Sequence, residues 1–183
     1  MAETIVETAR LRLRTWDACD IAPFMTHLNT PAVTRWLGGV QDEASFHAVY
    51  ERLSASQNVD GFSFWIIERL ADQELLGFCG LKRVDAEDAP MIGDVEIGWR
   101  LREDAWGMGY AREAAEATLG LAFNHFDLGH VVAMTVPQNA ASWGLMQRIG
   151  MVRARNLDFT FKRLDPEIQR HIVYRITRGD WTQ

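Results

Sequence analysis

The sequence contains few cysteines and histidines, the residues that form disulfides and many metal sites. Its 183 residues include two cysteines, Cys19 and Cys79, and five histidines. No C-x-x-C pair or zinc-ligand spacing occurs, and His125 and His130 lack the i, i+4 spacing of a zinc-binding helix. Cys79 lies in an apolar run at residues 76–81, which predicts a core thiol rather than a nucleophile. We therefore predict no metal site.

Long hydrophobic runs and an excess of positive charge are also missing. No apolar run approaches the roughly 20 residues of a membrane span, and no basic segment precedes an apolar one at the start. Lys and Arg total 19 against 25 Asp and Glu, a formal net charge of −6, without a basic stripe. We expect a cytoplasmic protein that binds neither membranes nor nucleic acid. The acidic balance slightly favours cationic partners.

Length and apolar content predict one domain, residues 1–183, because 48% apolar residues can bury a single core. Period-2 alternation and apolar runs predict strands at residues 10–16, 62–70, 75–81, 94–101, 131–136, 151–161 and 171–177. Helical periodicity predicts helices at residues 18–28 and 43–54, a longer helix from residue 111, and one with Asn139 as N-cap and Gly150 as C′ residue. The order is mixed α/β.

A glycine-rich loop at residues 106–109 opens the longest predicted helix. Gly107 and Gly109 stand where the first helical N–H groups lack partners, so the loop suits a phosphate or pyrophosphate. No Gly-Lys-Ser/Thr follows, which excludes a P-loop, and the third glycine of the dinucleotide fingerprint is missing. A glycine turn that merely enters a packed helix remains an alternative.

The flanking motifs make the loop more specific. Before it, Val95, Ile97, Trp99 and Leu101 share one strand face, while Glu96 lies on the other. After it come a β-branched strand ended by a proline, an N-x-x-S sequence and an I-G-M sequence. This order, with W-G-x-G-Y-A-x-E-A between the two strands, resembles the GNAT superfamily of N-acetyltransferases over nearly the whole chain.

The branch that it resembles most is the RimJ/RimL-like one, with the ribosomal-protein N-terminal acetyltransferases, because L-R-L-R at residues 11–14 matches their L-x-L-R. The resemblance implies an α/β (α+β) GNAT fold: a mostly antiparallel, twisted mixed sheet of about seven strands, two splayed central parallel strands and about four flanking helices. It also implies an acetyl-CoA-dependent enzyme that acetylates a primary amine, as a monomer or homodimer.

Acetyl-CoA is the implied cosubstrate, and its site is carried over residue by residue. The pyrophosphate is expected on the backbone of Met108, Gly109, Tyr110, Ala111 and Arg112, with Gly107 making the turn. The pantetheine amides are expected along the strand edge at Trp99, Arg100 and Leu101. Trp106 replaces a common Gln or Arg, so we expect mainly backbone contacts to phosphate.

Two residues are the implied catalytic pair. Glu96 is the candidate base, directly or through a water, and a main-chain N–H within residues 97–99 is the candidate oxyanion donor. Many members protonate the leaving thiolate with a Tyr where this chain has Met146, so Ser142 is the candidate acid and Asn139 its partner or a pantetheine contact. The alternatives are a Glu96 that only pairs with a neighbouring Arg, and a helix-capping role for Asn139 and Ser142.

The acceptor is the least determined part. The resemblance places Met25, Asn29, Trp36 and Phe46 at the acceptor pocket, although Trp36 followed by Leu-Gly-Gly could equally be a core residue. A protein N-terminal amine is the first candidate; an amino acid, a polyamine and an aminoglycoside-like amine stay open. A non-catalytic acyl-CoA-binding module is the rival. The missing Tyr favours it, and Glu96, Asn139 and Ser142 oppose it.

Overall fold

The computed structural model describes residues 2–181, which form one mixed sheet with helices on both faces. The strands are β1 (Thr4–Glu7), β2 (Leu11–Arg14), β3 (Phe64–Arg69), β4 (Leu75–Arg83), β5 (Val95–Leu101), β6 (His130–Thr135), β7 (Val152–Arg153), β8 (Phe159–Thr160) and β9 (Arg170–Thr177). Their order in the sheet is β1-β2-β3-β4-β5-β6-β9-β7, and β8 also pairs with β9. Only β5 and β6 run parallel among the pairs in the described chain.

Five α-helices flank this sheet within residues 2–181. They are α1 (Ile21–Leu28), α2 (Pro31–Thr34), α3 (Glu43–Asp60), α4 (Tyr110–Asn124) and α5 (Ala140–Arg148). Side-chain caps begin several of them: Asp42 accepts from Ser45 N at α3, and Asn139 accepts from Ser142 N at α5. Gly61 ends α3 in the left-handed region, at φ 77°.

The two sheet faces carry different cores. Odd-numbered residues of β5, such as Val95 and Ile97, join the main core beneath α4, where Ala114, Ala115 and Leu119 are fully buried. The opposite face packs against α1 and α3 through an aromatic cluster that includes Phe24, Phe46 and Phe78. Strand alternation therefore divides β5 into a structural face and a face beneath the two N-terminal helices.

The expected mixed, mostly antiparallel sheet with a central parallel pair is confirmed, with nine strands and five helices in residues 2–181 instead of about seven and four. The single-domain assignment stays a prediction. The strands predicted at residues 62–70 and 75–81 are present as β3 and β4, which pair antiparallel. Helix α3 continues to residue 60, and residues 18–20 form a short 3-10 turn before α1. The sequence patterns considered above did not predict β1 or α2.

One predicted strand is wrong in its middle. Residues 151–161 form the two-residue strands β7 and β8, separated by a 3-10 turn at residues 155–157. Asp158 causes the interruption: one carboxylate oxygen accepts from Val173 N at 3.1 Å and the other accepts from Arg153. Because a side chain bonds the β9 backbone there, the ladder cannot continue through these residues.

No helix within residues 2–181 combines the length and the hydropathy needed to cross a bilayer.

Candidate active site

A cleft opens where β5 and β6 separate. These neighbouring parallel strands pair at a single position, Glu96 with Val132, and their chains diverge beyond it. On its other side β5 stays paired with β4 over seven residues, from Val95 to Leu101. One edge of β5 is therefore open after Glu96, as the splayed pair implied by the family resemblance requires.

The peptide groups at this open edge belong to odd-numbered residues. Arg102 N donates to Leu76 O at 2.9 Å and Val84 N donates to Asp94 O at 2.8 Å, so even-numbered residues of this segment bond to β4. Antiparallel pairing alternates, and the N–H and C=O groups of Trp99 consequently face the cleft. Trp106 occupies the last acceptor at the edge, because its indole donates to Leu101 O at 2.8 Å.

The glycine loop lies at the start of α4, beside this edge. Gly107 and Gly109 have φ of 75° and 79°, a region that favours glycine, and Gly109 is the N-cap without a side-chain hydrogen bond. The first N–H groups of α4 thus have no cap from Gly109 and suit an anion. A Cβ on Gly107 would have no heavy atom within 4 Å, so that side of the loop is open space.

Arg10 contacts both the loop and the first turns of α4. Its side chain donates to Glu113 Oε2 at 2.7 Å and to Met108 O at 3.0 Å, and its guanidinium carbon lies 4.6 Å from the centre of the Tyr110 ring. Glu113 also accepts from Thr8 Oγ1 at 2.6 Å. These contacts tie the loop to the β1–β2 turn, whereas the exposed Arg112 side chain pairs with Glu116 at 2.8 Å. The loop therefore presents mainly backbone to a ligand.

Glu96 lies where the two strands part, on the face beneath α1 and α3. Its side chain is 14% exposed, and its nearest cation is Lys82 Nζ at 3.4 Å, on the paired position of β4. Lys82 lies closer to Asp85, at 2.6 Å. Burial raises the pKa of Glu96 to about 7; the Lys82 charge opposes this rise and Asp85 adds to it. The alternative, in which Glu96 only pairs with a neighbouring arginine, is not met as stated: the partner is Lys82, and its charge does not outweigh the effect of burial on the pKa of Glu96.

Ser142 and Asn139 lie at the start of α5, which follows β6. Asn139 Oδ1 accepts from Ser142 N at 3.4 Å, and its amide nitrogen donates to Thr135 Oγ1 at 3.1 Å. The capping role is therefore present. Ser142 is half-buried, and Met146, one turn further on, is 1% exposed in the main core. Whether Ser142 also acts in catalysis stays a prediction.

A cavity of about 370 Å³ lies beneath α1 and α3, on the Glu96 face. Its aromatic walls are Trp16, Phe24, Phe46, Phe64 and Phe78, and its charged lining residues are Arg52, Lys82, Arg83, Asp85 and Arg100. A Cβ on Gly98 would come within 2.7 Å of Phe64 Cζ, so the Phe64 ring covers β5 between Glu96 and Arg100. Lys82 both lines the cavity and contacts Glu96, which joins the cavity to the cleft.

Of the four predicted acceptor residues, Phe46 lines the cavity. Met25 packs against the α1–α3 aromatic cluster, and the Asn29 amide is bonded to the backbone of Gln41 at 2.7 and 2.9 Å. Trp36 is half-buried, with Arg35 4.5 Å above its ring. The segment between α2 and α3, which contains Trp36, approaches the segment before β9, because a Cβ on Gly38 would lie 3.8 Å from Leu164 Cδ2.

The sequence reasoning missed two charged groups of this site, Lys82 and the Arg100 side chain. Only the backbone of Arg100 was assigned a role. The alternation of side chains along a strand was the available signal for Arg100, because residues 96 and 100 lie on the same face of β5. Lys82 becomes a neighbour of Glu96 only through the pairing of β4 with β5, which the sequence pattern does not reveal.

Residues 10–152 match the family model described as an acetyltransferase (GNAT) domain. The chain belongs to the GNAT family. The uncharacterized protein YkkB of Bacillus subtilis is 33% identical over 151 residues, which cover 82% of this chain and 86% of that protein. An acetyltransferase from Agrobacterium tumefaciens, known as a crystal structure, has a TM-score of 0.79 at 29% identity and covers 93% of this chain and 92% of its own.

These matches make the chain an acyltransferase with acetyl-CoA as cosubstrate. They do not single out the RimJ/RimL-like branch. The solved RimL ribosomal L7/L12 alpha-N-protein acetyltransferase has a TM-score of 0.76 and covers 97% of this chain and 95% of its own, but at 14% identity. That likeness shows the fold alone.

Proposed function

We propose that this protein transfers an acetyl group from acetyl-CoA directly to a primary amine, with Glu96 as general base. The observation that carries the proposal is a buried carboxylate at the point where β5 and β6 part. A base that is half-ionised near neutral pH can accept a proton and release it again within each turnover.

Acetyl-CoA fits the cleft on three features of the chain. Its pyrophosphate would lie on the backbone N–H groups of residues 108–112, its pantetheine amides along the Trp99 edge of β5, and its thioester near Glu96. The cosubstrate supplies an activated acyl group as a thioester. Backbone N–H groups at residues 97–99 are the donors that would stabilise the developing oxyanion.

Glu96 would remove the proton that makes the acceptor unreactive. An alkyl ammonium has a pKa of roughly 10 and a protein α-ammonium a pKa of roughly 8, so most of either is protonated at neutral pH. Lys82 holds a positive charge beside the carboxylate, and this contact keeps part of the Glu96 population ionised despite its burial.

Ser142 is the proposed proton donor for the leaving thiolate, directly or through a water that it holds. It lies on the first turn of α5, just beyond the end of β6, the strand that forms the other wall of the cleft. Met146 cannot donate a proton, so Ser142 is the candidate hydroxyl on this helix face.

The acceptor is proposed to be either a protein N-terminal amine or a small-molecule amine. The first candidate rests on the L-R-L-R motif of β2, in which Arg14 pairs with Asp20 and Glu68. A specific observation favours the second: the cavity has the size of a small-molecule site and is lined by side chains from separate elements.

A panel of amines, with thiol release from acetyl-CoA as the readout, tests the proposal. We expect release above the hydrolysis background with at least one primary amine and an acetylated product of the matching mass. Acetyl-CoA binding without transfer to any amine, including peptide N-termini, would instead identify a non-catalytic acyl-CoA-binding module.

A further inference from the structure

Arg100 is a partly buried cation that lines the cavity beneath α1 and α3. Its guanidinium carbon lies 5.7 Å from the ring centre of Phe24 and 5.5 Å from that of Phe78. Among residues 2–181, Nε of Arg100 is a buried nitrogen without a hydrogen-bond partner. Aromatic faces offset part of the cost of burying this charge, but they accept no full hydrogen bond from Nε.

This charge persists at neutral pH. Burial lowers the pKa of Arg100 to about 10, which is still well above 7. Within the described chain no carboxylate forms an ion pair with it, whereas Lys82 pairs with Asp85 and Arg83 pairs with Asp60 at 2.8 Å. A buried, unpaired cation that lines a cavity is matched best by an anion from outside the chain.

The cavity as a whole has the opposite charge balance to the protein. Its lining contains four cations and one carboxylate, Asp85, while the chain carries a net −6. Arg52, on an exposed position of α3, adds a second cation for which the described chain forms no ion pair. Lys82 and Arg83 have carboxylate partners, so Arg52 and Arg100 are the lining cations that would repel a polycationic acceptor, and the weak bias from total charge does not extend to the site.

We propose that the cavity selects primary amines that carry a carboxylate or similar anion, which Arg100 binds, at the far end of an apolar or aromatic body. This inference rests on the proposed function for the amine end. Glu96 and Arg100 are four residues apart on one face of β5, about 13 Å between Cα atoms at 3.3 Å per residue. Phe64 covers the strand between them and would contact the apolar body.

A matched ligand pair tests the anion site: 4-(aminomethyl)benzoate and its neutral carboxamide. Calorimetry in the presence of CoA measures binding without requiring turnover. We expect the carboxylate to bind roughly ten- to hundredfold more tightly, as for a charge-assisted hydrogen bond in a partly buried site. Arg100→Gln should remove this preference, and Arg100→Lys should restore part of it.

Arg52→Gln is the matched control, because it removes a cation from the exposed part of the same cavity. We expect it to change the preference by less than about threefold, since exposed charges are screened. Thermal unfolding of each variant checks that the fold is intact.

The results separate this inference from the proposed function. Equal binding of the two ligands, no detectable binding, a preference that survives Arg100→Gln, or a larger loss with Arg52→Gln each overturns the Arg100 site, even if other amines are acetylated. A preference that depends on Arg100 supports the site, and if no amine is then acetylated, only the proposed chemistry fails.

Discussion

The two halves of the proposed site, for the cofactor and for the acceptor, use different chemical groups: backbone in the first and side chains in the second. The proposed cofactor half consists of one continuous loop and helix start at residues 106–112 and one strand edge, and the groups that it offers to a ligand are peptide N–H and C=O. The acceptor half collects side chains from α1, α3, β3, β4 and β5 around a cavity. A single contiguous motif encodes the first half, whereas the second exists only once distant segments have packed together.

This difference explains which side chains are constrained. In the cofactor half, Gly107 and Gly109 are needed because of their positive φ, while the Arg112 side chain points to Glu116. In the proposed acceptor half, the charged side chains Lys82 and Arg100 are the groups that we expect to act on a ligand, and their neighbours influence their charge. Substitutions should therefore act through backbone shape in one half and through charge in the other.

Glu96→Gln is the change with the largest expected effect on turnover. The amide keeps the size of the carboxylate but cannot take a proton, so we expect kcat to fall by roughly 10²- to 10⁴-fold with acetyl-CoA binding unchanged. Single-turnover transfer kinetics, together with calorimetry for acetyl-CoA, make this measurement.

The thermal stability of Glu96→Gln at pH 8 is the control that separates lost chemistry from misfolding. The native pKa of Glu96 is raised from 4.5 to about 7, so its contribution to folding is fully present below pH 4.5 and is lost as the pH rises towards 7. At pH 8, Glu96→Gln should consequently be at least as stable as the wild type, because Lys82 keeps Asp85 as a partner. Lost turnover together with a lower melting temperature at pH 8 would point to misfolding.

Gly109→Val should have the next largest effect, and on binding rather than on chemistry. A branched side chain is strained at φ 79°, and its Cβ would lie 3.4 Å from Arg10 Nη2, so the loop backbone must shift and we expect acetyl-CoA affinity to fall by roughly ten- to hundredfold. Gly120→Val in the same helix is the control, because a Cβ there meets open space. Equal losses in the two variants would remove the loop from the cofactor site.

The local geometry of the proposed cofactor half was predictable from the sequence, and the side-chain contacts of the proposed acceptor half largely were not. Gly109, Asn139 and Gly150 have local roles, as N-cap, N-cap and C′ residue, so spacing along the chain was enough to find them. The Glu96–Lys82 contact depends on strand register, which is set by the whole sheet. The strand predicted over residues 151–161 failed for a related reason, because Asp158 bonds to the distant β9.

Ser142→Ala should have the smallest effect. If Ser142 protonates the thiolate, turnover should fall by up to roughly tenfold, with little change in melting temperature because the Asn139 cap remains. Asn139→Ala is the contrasting variant: loss of the cap should cost about 1 kcal/mol of stability. A fall in Ser142→Ala activity that matches its reduced folded fraction would assign this serine to the helix alone.

The pH dependence of kcat/KM for the acceptor, compared between the wild type and Glu96→Gln, tests the central claim most directly. In the wild type, kcat/KM should rise with pH and level off above an inflection near 7, because Glu96 must be ionised to take the proton. In the variant this inflection should disappear, and activity should keep rising towards the acceptor's own pKa as more neutral amine becomes available. An inflection near 7 that persists in Glu96→Gln, or a variant as active as the wild type at neutral pH with chemistry rate-limiting, would show that Glu96 is structural.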